Sequence, residues 1–349
     1  MATKKRKIPS HASLTVTDVA QRAGVSRTAV SYVLNENGER NKHVSAETRA
    51  KVLQAVQELH FSPDALARAL SKGYSQELAY IVDVTLDPFG SELITSLQQQ
   101  ASSYGYTLVT YFCQGFSAEQ RRDLHQTIFA RHPIGIITSS FHFTTEDVTH
   151  AREMGIDHIL FIGFHTEPIE HTSTISFPSQ QLGYLAAQHL RERGHRHLAL
   201  VHPDDPIQEE AFLQRLEGMH VAMAEEKGMT LDILPLHLSV AAARSLVETH
   251  FVRFDHPTGV YAFGDPYAAV LLGALTRCGI QVPQEVALVG TGNLPLGEFV
   301  WPSLTSLCFD TFSIGKRAIE ILHTLHQEEV LSEELARPLI PHLIQREST

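Results

Sequence analysis

Arg27, Thr28, Ser31 and Tyr32 place a guanidinium, two hydroxyls and a phenol at positions i, i+1, i+4 and i+5. On a helix that spacing gathers them on one side, where they can donate to and accept from base-pair edges in a major groove. The chemistry they suit is recognition of a duplex. Holding them there takes a helix and a second element behind it, and Thr15 to Leu34, TVTDVAQRAGVSRTAVSYVL, supplies both. Thr15 and Asp18 have the spacing of a capping box, so a first helix starts there. Gly24 ends it, since glycine takes a left-handed conformation without a Cβ penalty, and Ser26 caps a second helix, Arg27 to Leu34. Val19, Ala23, Val25, Val30 and Val33 form one buried seam, and small Ala20 lets the second helix cross closely. The pair reads as a helix-turn-helix. A surface helical hairpin is the alternative.

A third helix follows, capped by Ser45, with Val52, Val56 and Leu59 on one stripe. Ser62 and Pro63 then prepare another helix start, and Leu66, Ala69 and Leu70 give it an apolar face. Ending at Leu70, that segment is too short to hold alone in water, where roughly 12 residues are needed. The runs TVTDVAQRAGVS, HVSAETR, ELHFSPDALARAL and RERGHRHLALV resemble the lactose-repressor (LacI/GalR) family of bacterial transcription regulators. The resemblance covers nearly the whole chain and is strongest over Thr15 to Leu70. It implies a sequence-specific regulator, a dimeric repressor whose affinity for operator DNA is set by a small molecule. It also implies a hinge helix over residues 62–76 that folds when two copies meet over the minor groove, with Leu70 wedged between base pairs. A plain linker is the alternative there. The expected DNA contacts are Thr15, Ser26, Arg27, Thr28, Ser31, Tyr32, Asn35, Ser45, Thr48, Ala67, Arg68 and Leu70.

Charge points the same way. The net of −11 over 349 residues hides an asymmetry: residues 1–75 carry 12 Lys+Arg and 6 Asp+Glu, the remainder 16 and 33. Only the first part is drawn to a polyanion, with an affinity that falls steeply with salt. Lys4, Lys5, Arg6 and Lys7 form a basic arm over residues 1–13, which either adds phosphate contacts or has no special function. No apolar run reaches the roughly 18 residues of a membrane span, and the basic N-terminus lacks the apolar part of a signal peptide. A cytoplasmic, nucleoid-associated protein is expected. Cys113, Cys278 and Cys308 are odd in number and far apart, as suits a reducing compartment. His195, His197, His158 and His165 fall in strand and loop without helical ligand spacing, so neither a metal nor another cofactor is expected.

From Leu78 onward short apolar strands alternate with amphipathic helices, the rhythm of parallel sheets covered on both faces. Strands are expected over 78–84, 106–112, 135–139, 158–164 and 174–177, and then over 197–202, 231–236, 259–263 and 286–290. Two doubly wound lobes follow after the head domain over 14–61. By resemblance they form a type I periplasmic-binding-protein-like core over 77–349, with a ligand cleft at the carboxyl ends of the strands. The first lobe is expected over about 77–175 and 307–335, the second over about 176–306 and 336–349, with strand Leu304 to Asp310 returning to the first. No heptad extension follows Leu343 to Arg346, so a homodimer is expected, matching a palindromic operator.

Family positions carried over one at a time place Phe89, Phe164, Phe177, Arg215, Asp265 and Asn293 at the effector. Arg215 is otherwise a helix-surface arginine, and Asp265 a helix cap. The chain has Thr291-Gly292-Asn293 where relatives have an aspartate, Gly163-Phe164 where an acid is frequent, and Phe177 in place of another aspartate. Sugar hydroxyls left without partners cost about 1–3 kcal/mol each. The effector is therefore expected to be less polar than a free hexose or anionic, or effector control has been lost. A solute-binding protein would lack the basic head. An α/β enzyme would need a nucleotide loop or catalytic set, and the chain has no G-x-G-x-x-G, G-x-x-x-x-G-K-S/T or G-x-S-x-G. Neither class is expected.

Overall fold

The computed structural model describes residues 15–34, 44–59, 76–83, 88–140, 142–163, 169–251 and 256–349. The chain divides into two compact units, Met1–Ser75 and Gln76–Thr349.

The head is built of α1 (Val16–Ala23), α2 (Arg27–Leu34) and α3 (Ala46–Leu59). The Asp18 carboxylate accepts both the amide and the hydroxyl of Thr15 at 2.7 Å, which opens α1. Gly24 closes it at φ 67°, and the Val25 amide then reaches back to the Ala20 carbonyl. Ser26 Oγ accepts the Ala29 amide at 3.1 Å and opens α2. Val19, Ala20, Val30, Val33, Val52 and Ala55 form the core, with Ala23, Val25, Val56 and Leu59 at its margin. Valine and alanine spaced at helical intervals are enough to close so small a unit, because each helix buries only one stripe.

In the core unit the first sheet holds β1 (Glu77–Val82), β2 (Thr107–Phe112), β3 (Gly135–Thr138), β4 (Ile159–Gly163) and β5 (Ser173–Ser176). Its order is β2-β1-β3-β4-β5, and every pairing is parallel. Leu78, Tyr80 and Val82 of β1 pack to one side, Ala79 and Ile81 to the other. A strand covered on both faces has no use for alternation, hence the unbroken apolar run. The helices between are α4 (Pro88–Ser103), α5 (Ala118–Phe129) and α6 (Thr145–Glu153). The sequence reading did not include α6, which is short and polar; its signal was the Thr144–Asp147 capping box.

The second sheet runs β11-β10-β9-β8-β6-β7. Its strands are β6 (His197–Pro203), β7 (Thr230–Leu236), β8 (Gly259–Tyr261), β9 (Ala287–Thr291), β10 (Thr305–Cys308) and β11 (His342–Ile344), the last antiparallel at the edge. Around it lie α7 (Ser179–Glu192), α8 (Glu209–Met223), α9 (Val240–His250), α10 (Asp265–Arg277) and the short α11 (Leu296–Phe299), while α12 (Thr311–His326) and α13 (Glu333–Ala336) follow β10. Here the structure corrects an expectation. The strand taken to return to the first lobe pairs in register with β9, Thr305 opposite Val289, and so belongs to the second lobe. It is α12 that crosses: Asp310 caps it, and it packs along α4, with Ser96 Oγ donating to the Phe312 carbonyl. The lobe boundary therefore falls near Asp310, after residue 307.

Candidate nucleic-acid interface and effector site

On α2 the side chains of Arg27, Thr28 and Ser31 are exposed, Tyr32 is half-buried, and Val30 and Val33 face the head's core. Tethering the helix through valine leaves its polar side without a packing task. Among the described residues, the other polar groups expected at DNA sit at helix caps. Thr15 and Ser26 do so as described, and Ser45 Oγ accepts the Thr48 amide at 3.2 Å while donating to Thr48 Oγ1 at 2.9 Å. Four of the expected contacts, Asn35, Ala67, Arg68 and Leu70, lie outside the described residues, as do the hinge segment, the basic arm and Phe164.

At the carboxyl edge of the second sheet lie Arg215, Asp265 and Asn293, each with internal work. Arg215 on α8 is 3 % exposed, which rules out a surface arginine. It is held there because α7 and α8 nearly touch: a Cβ on Gly183 would sit 1.9 Å from the Arg215 carbonyl oxygen. Its guanidinium donates to the Phe263 carbonyl and lies 3.9 Å from the centroid of the Phe263 ring. Burial lowers its pKa from the ordinary arginine value, offset by Tyr261, whose hydroxyl meets Thr291 Oγ1 at 2.8 Å. Asp265 is fully buried. Its Oδ1 accepts the Ser306 hydroxyl and its Oδ2 the Leu294 amide, both at 2.7 Å. Gly264, not Asp265, is the N-cap residue of α10, so the carboxylate is a clasp between α10, β10 and the turn after β9. Burial raises its pKa above the ordinary carboxylate value. Asn293 sits at φ 51°, its side-chain carbonyl taken by Arg346 at 2.6 Å.

Toward the first lobe the wall is aromatic. Phe89 meets Phe177 edge-on at 5.7 Å, and Phe177 stacks on Phe309 at 5.3 Å. The sequence reading missed Phe309, which lies just past β10 and became visible only with the strand's true placement. It also missed a polar cluster at the ends of β1 and β3, where Asp83 Oδ2 accepts Ser140 Oγ at 3.0 Å and meets His142 Nδ1 at 2.6 Å. A surface cavity of about 520 Å³ lies apart from the Arg215 edge, between α5 and α6. Among the described residues no group of three or more potential ligands gathers as a metal site, and no helix is long and apolar enough to cross a membrane.

A three-helix head joined to a core of two parallel-sheet lobes defines a helix-turn-helix protein with a periplasmic-binding-like body. Residues 15–64 match the model of bacterial regulatory proteins, lacI family, and residues 187–349 that of the periplasmic binding protein-like domain. The HTH-type transcriptional repressor PurR of Vibrio vulnificus (strain CMCP6) is 30% identical over 314 residues, 88% of this chain and 90% of its own length. PurR of Vibrio cholerae serotype O1 (strain M66-2) is 29% identical over 342 residues, 96% of this chain and 97% of its own. The lac repressor dimer bound to operator and the anti-inducer ONPF shares the fold, with a TM-score of 0.79 at 22% identity, over 96% of this chain and 99% of that one. The chain belongs to the lacI family: it is a DNA-binding transcriptional repressor with an effector-binding core.

Proposed function

We propose that the chain acts as a homodimer on the nucleoid, setting two helix-turn-helix heads over the half-sites of an approximately palindromic operator. The observation that carries this reading is the exposed Arg27, Thr28 and Ser31 face of α2 above a valine seam. Arg27 and its neighbours read bases, the caps at Thr15 and Ser45 bring helix N-termini to phosphates, and Ala67, Arg68 and Leu70 engage the minor groove. No catalytic role is proposed. Selection of bound sequences from randomised duplexes, repeated at rising salt, tests the reading. A preferred two-fold motif with steep salt dependence supports it, and no preference over random competitor at low salt sinks it.

Self-association is supported by Phe299 and Trp301, which are 82 % and 79 % exposed beside one another on the second lobe. Large apolar side chains left in water together mark a contact surface. Sedimentation of Trp301→Glu should show monomer where the parent shows dimer; a dimer of unchanged strength would place the contact elsewhere.

The effector is proposed to be an anionic or weakly polar molecule bound near Arg215 against the Phe89 and Phe177 wall. With Gly163 and Gly292 where relatives hold acids, and Asp265 already clasped, the edge has few acceptors for a polyol. Calorimetric titration against a metabolite panel tests this, and tight binding of an unmodified monosaccharide refutes it. A second reading, repression without an effector, is favoured by the internal engagement of both Arg215 and Asp265. It predicts operator affinity indifferent to the whole panel.

A further inference from the structure

One residue closes the cation from two directions. The Phe263 ring covers the Arg215 guanidinium, and the same residue's carbonyl accepts from Nη1. The Tyr261 ring centroid lies 5.9 Å from the same guanidinium. Phe263 can make both contacts only because its backbone folds back. Its φ is 61°, and the Gly264 amide donates to the Ala262 carbonyl at 2.7 Å, which is a three-residue γ-turn in its rarer and more strained form. A bulky residue in the left-handed region persists only where its surroundings over-determine it. The Arg215 clasp belongs to that surrounding, together with the Tyr267 ring edge-on at 6.4 Å.

We propose that Phe263 is the gate of the effector site. It serves as an internal stand-in for ligand, occupying Arg215 until a small organic anion displaces its carbonyl and its ring and lets residue 263 relax to negative φ. The proposal rests on Arg215 being the effector's cation, although the gate itself is separable from that reading. A carboxylate exchanges the carbonyl dipole for a full charge in a geometry that suits the guanidinium fork. A flat ring on the ligand restores the π face that leaves with Phe263. A neutral sugar offers neither, so it has nothing with which to open the turn. Phe263 thereby becomes a determinant of specificity without remaining in contact with the ligand.

Phenylglyoxal labelling of arginines in the full-length protein, read by mass spectrometry peptide by peptide, tests the gate, with exposed Arg193 as internal reference. Phe263→Ala removes the ring, and Phe263→Gly also lifts the backbone penalty. Phe263→Leu keeps bulk without a π face, in case the smaller residues unfold the core. Because reactivity follows the open fraction, Arg215 labelling relative to Arg193 should rise by about an order of magnitude in Phe263→Ala or Phe263→Leu with unchanged circular dichroism, and by less in Phe263→Gly, whose turn is no longer strained. Benzoate should then protect Arg215 better than acetate does. Labelling that stays at the parent rate in folded Phe263→Ala and Phe263→Leu, which lose the ring and keep the backbone strain, would overturn the proposal and make Arg215 a strut. Labelling that rises while neither benzoate, acetate nor sulfate protects keeps the gate but removes Arg215 from the effector site.

Discussion

The head and the core unit treat their polar side chains in opposite ways. On α2 the groups suited to recognition stand in water while Val30 and Val33 carry the packing. At the edge of the second sheet Arg215 and Asp265 are themselves the packing, each buried and spanning several elements. An amphipathic helix separates the two tasks onto two faces, so one residue seldom serves both. A sheet edge crowded by helix starts offers no such separation. Side chains there must satisfy each other whenever no ligand does, because buried polar groups left unpaired are costly. Recognition chemistry and exposure therefore coincide in the head, and in the core a residue's type reveals only a capacity.

The largest effect that would sharpen this contrast is expected at Asp265. Asp265→Leu keeps a similar volume but removes both acceptors, leaving the buried Leu294 amide and Ser306 hydroxyl without the carboxylate they donate to. The core should lose about 1–3 kcal/mol of unfolding free energy, read from denaturant melts at neutral pH. The sign with pH is also fixed. Burial raises the folded-state pKa above the ordinary 3.8, so the contribution is complete below that value and declines as pH rises through the folded pKa. The variant should lack this decline. Unchanged stability together with a lost effector response would mean that Asp265 serves the ligand and that the contrast is drawn wrongly.

Arg27→Ala is the mirror experiment. Operator affinity should fall by roughly 1–3 kcal/mol and preference should relax at one base position, while the melting curve moves by no more than about 0.5 kcal/mol. Competition binding against operators mutated one position at a time reads the first, and calorimetry the second. A stability loss in place of a specificity change would show that α2 packs with its polar face.

What was legible in the sequence follows the same division. The helix-turn-helix lies open because its signals are local: the Thr15–Asp18 pair, the turn at Gly24 and the valine spacing all fall within one short stretch. The alternation of strand and helix is equally local, and the two lobes follow from it. The lobe that holds Thr305–Cys308 was not legible, since pairing with β9 joins segments distant in sequence and both sheets accept the same apolar run. Arg215 was singled out by its match to a family position, and its contact with Phe263 was not legible. A phenylalanine at positive φ has no sequence signal, as the turn is imposed by its surroundings rather than by its own preference. Asp265 showed the same limit: its clasp needs Ser306 and Leu294, which only the folded edge brings near.

Asp310 tests whether exposure alone distinguishes the two kinds of residue. It is exposed, as Arg27 is, yet it caps α12 where the chain leaves the second lobe for the first: Oδ1 accepts the Phe312 amide at 3.0 Å and the Ser313 amide at 3.3 Å. The Ser313 hydroxyl at Oδ2, with these amides, holds its pKa below the ordinary 3.8. The stability it gives is thus present above 3.8 and lost as pH falls through the folded value. Asp310→Ala should cost about 0.5–2 kcal/mol at neutral pH and a shrinking amount in acid, with operator affinity unchanged when no effector is present. If neutral-pH stability holds while operator binding changes, the crossing at Asp310 is a relay between lobes, and the division between reading and structural side chains fails at the surface as well.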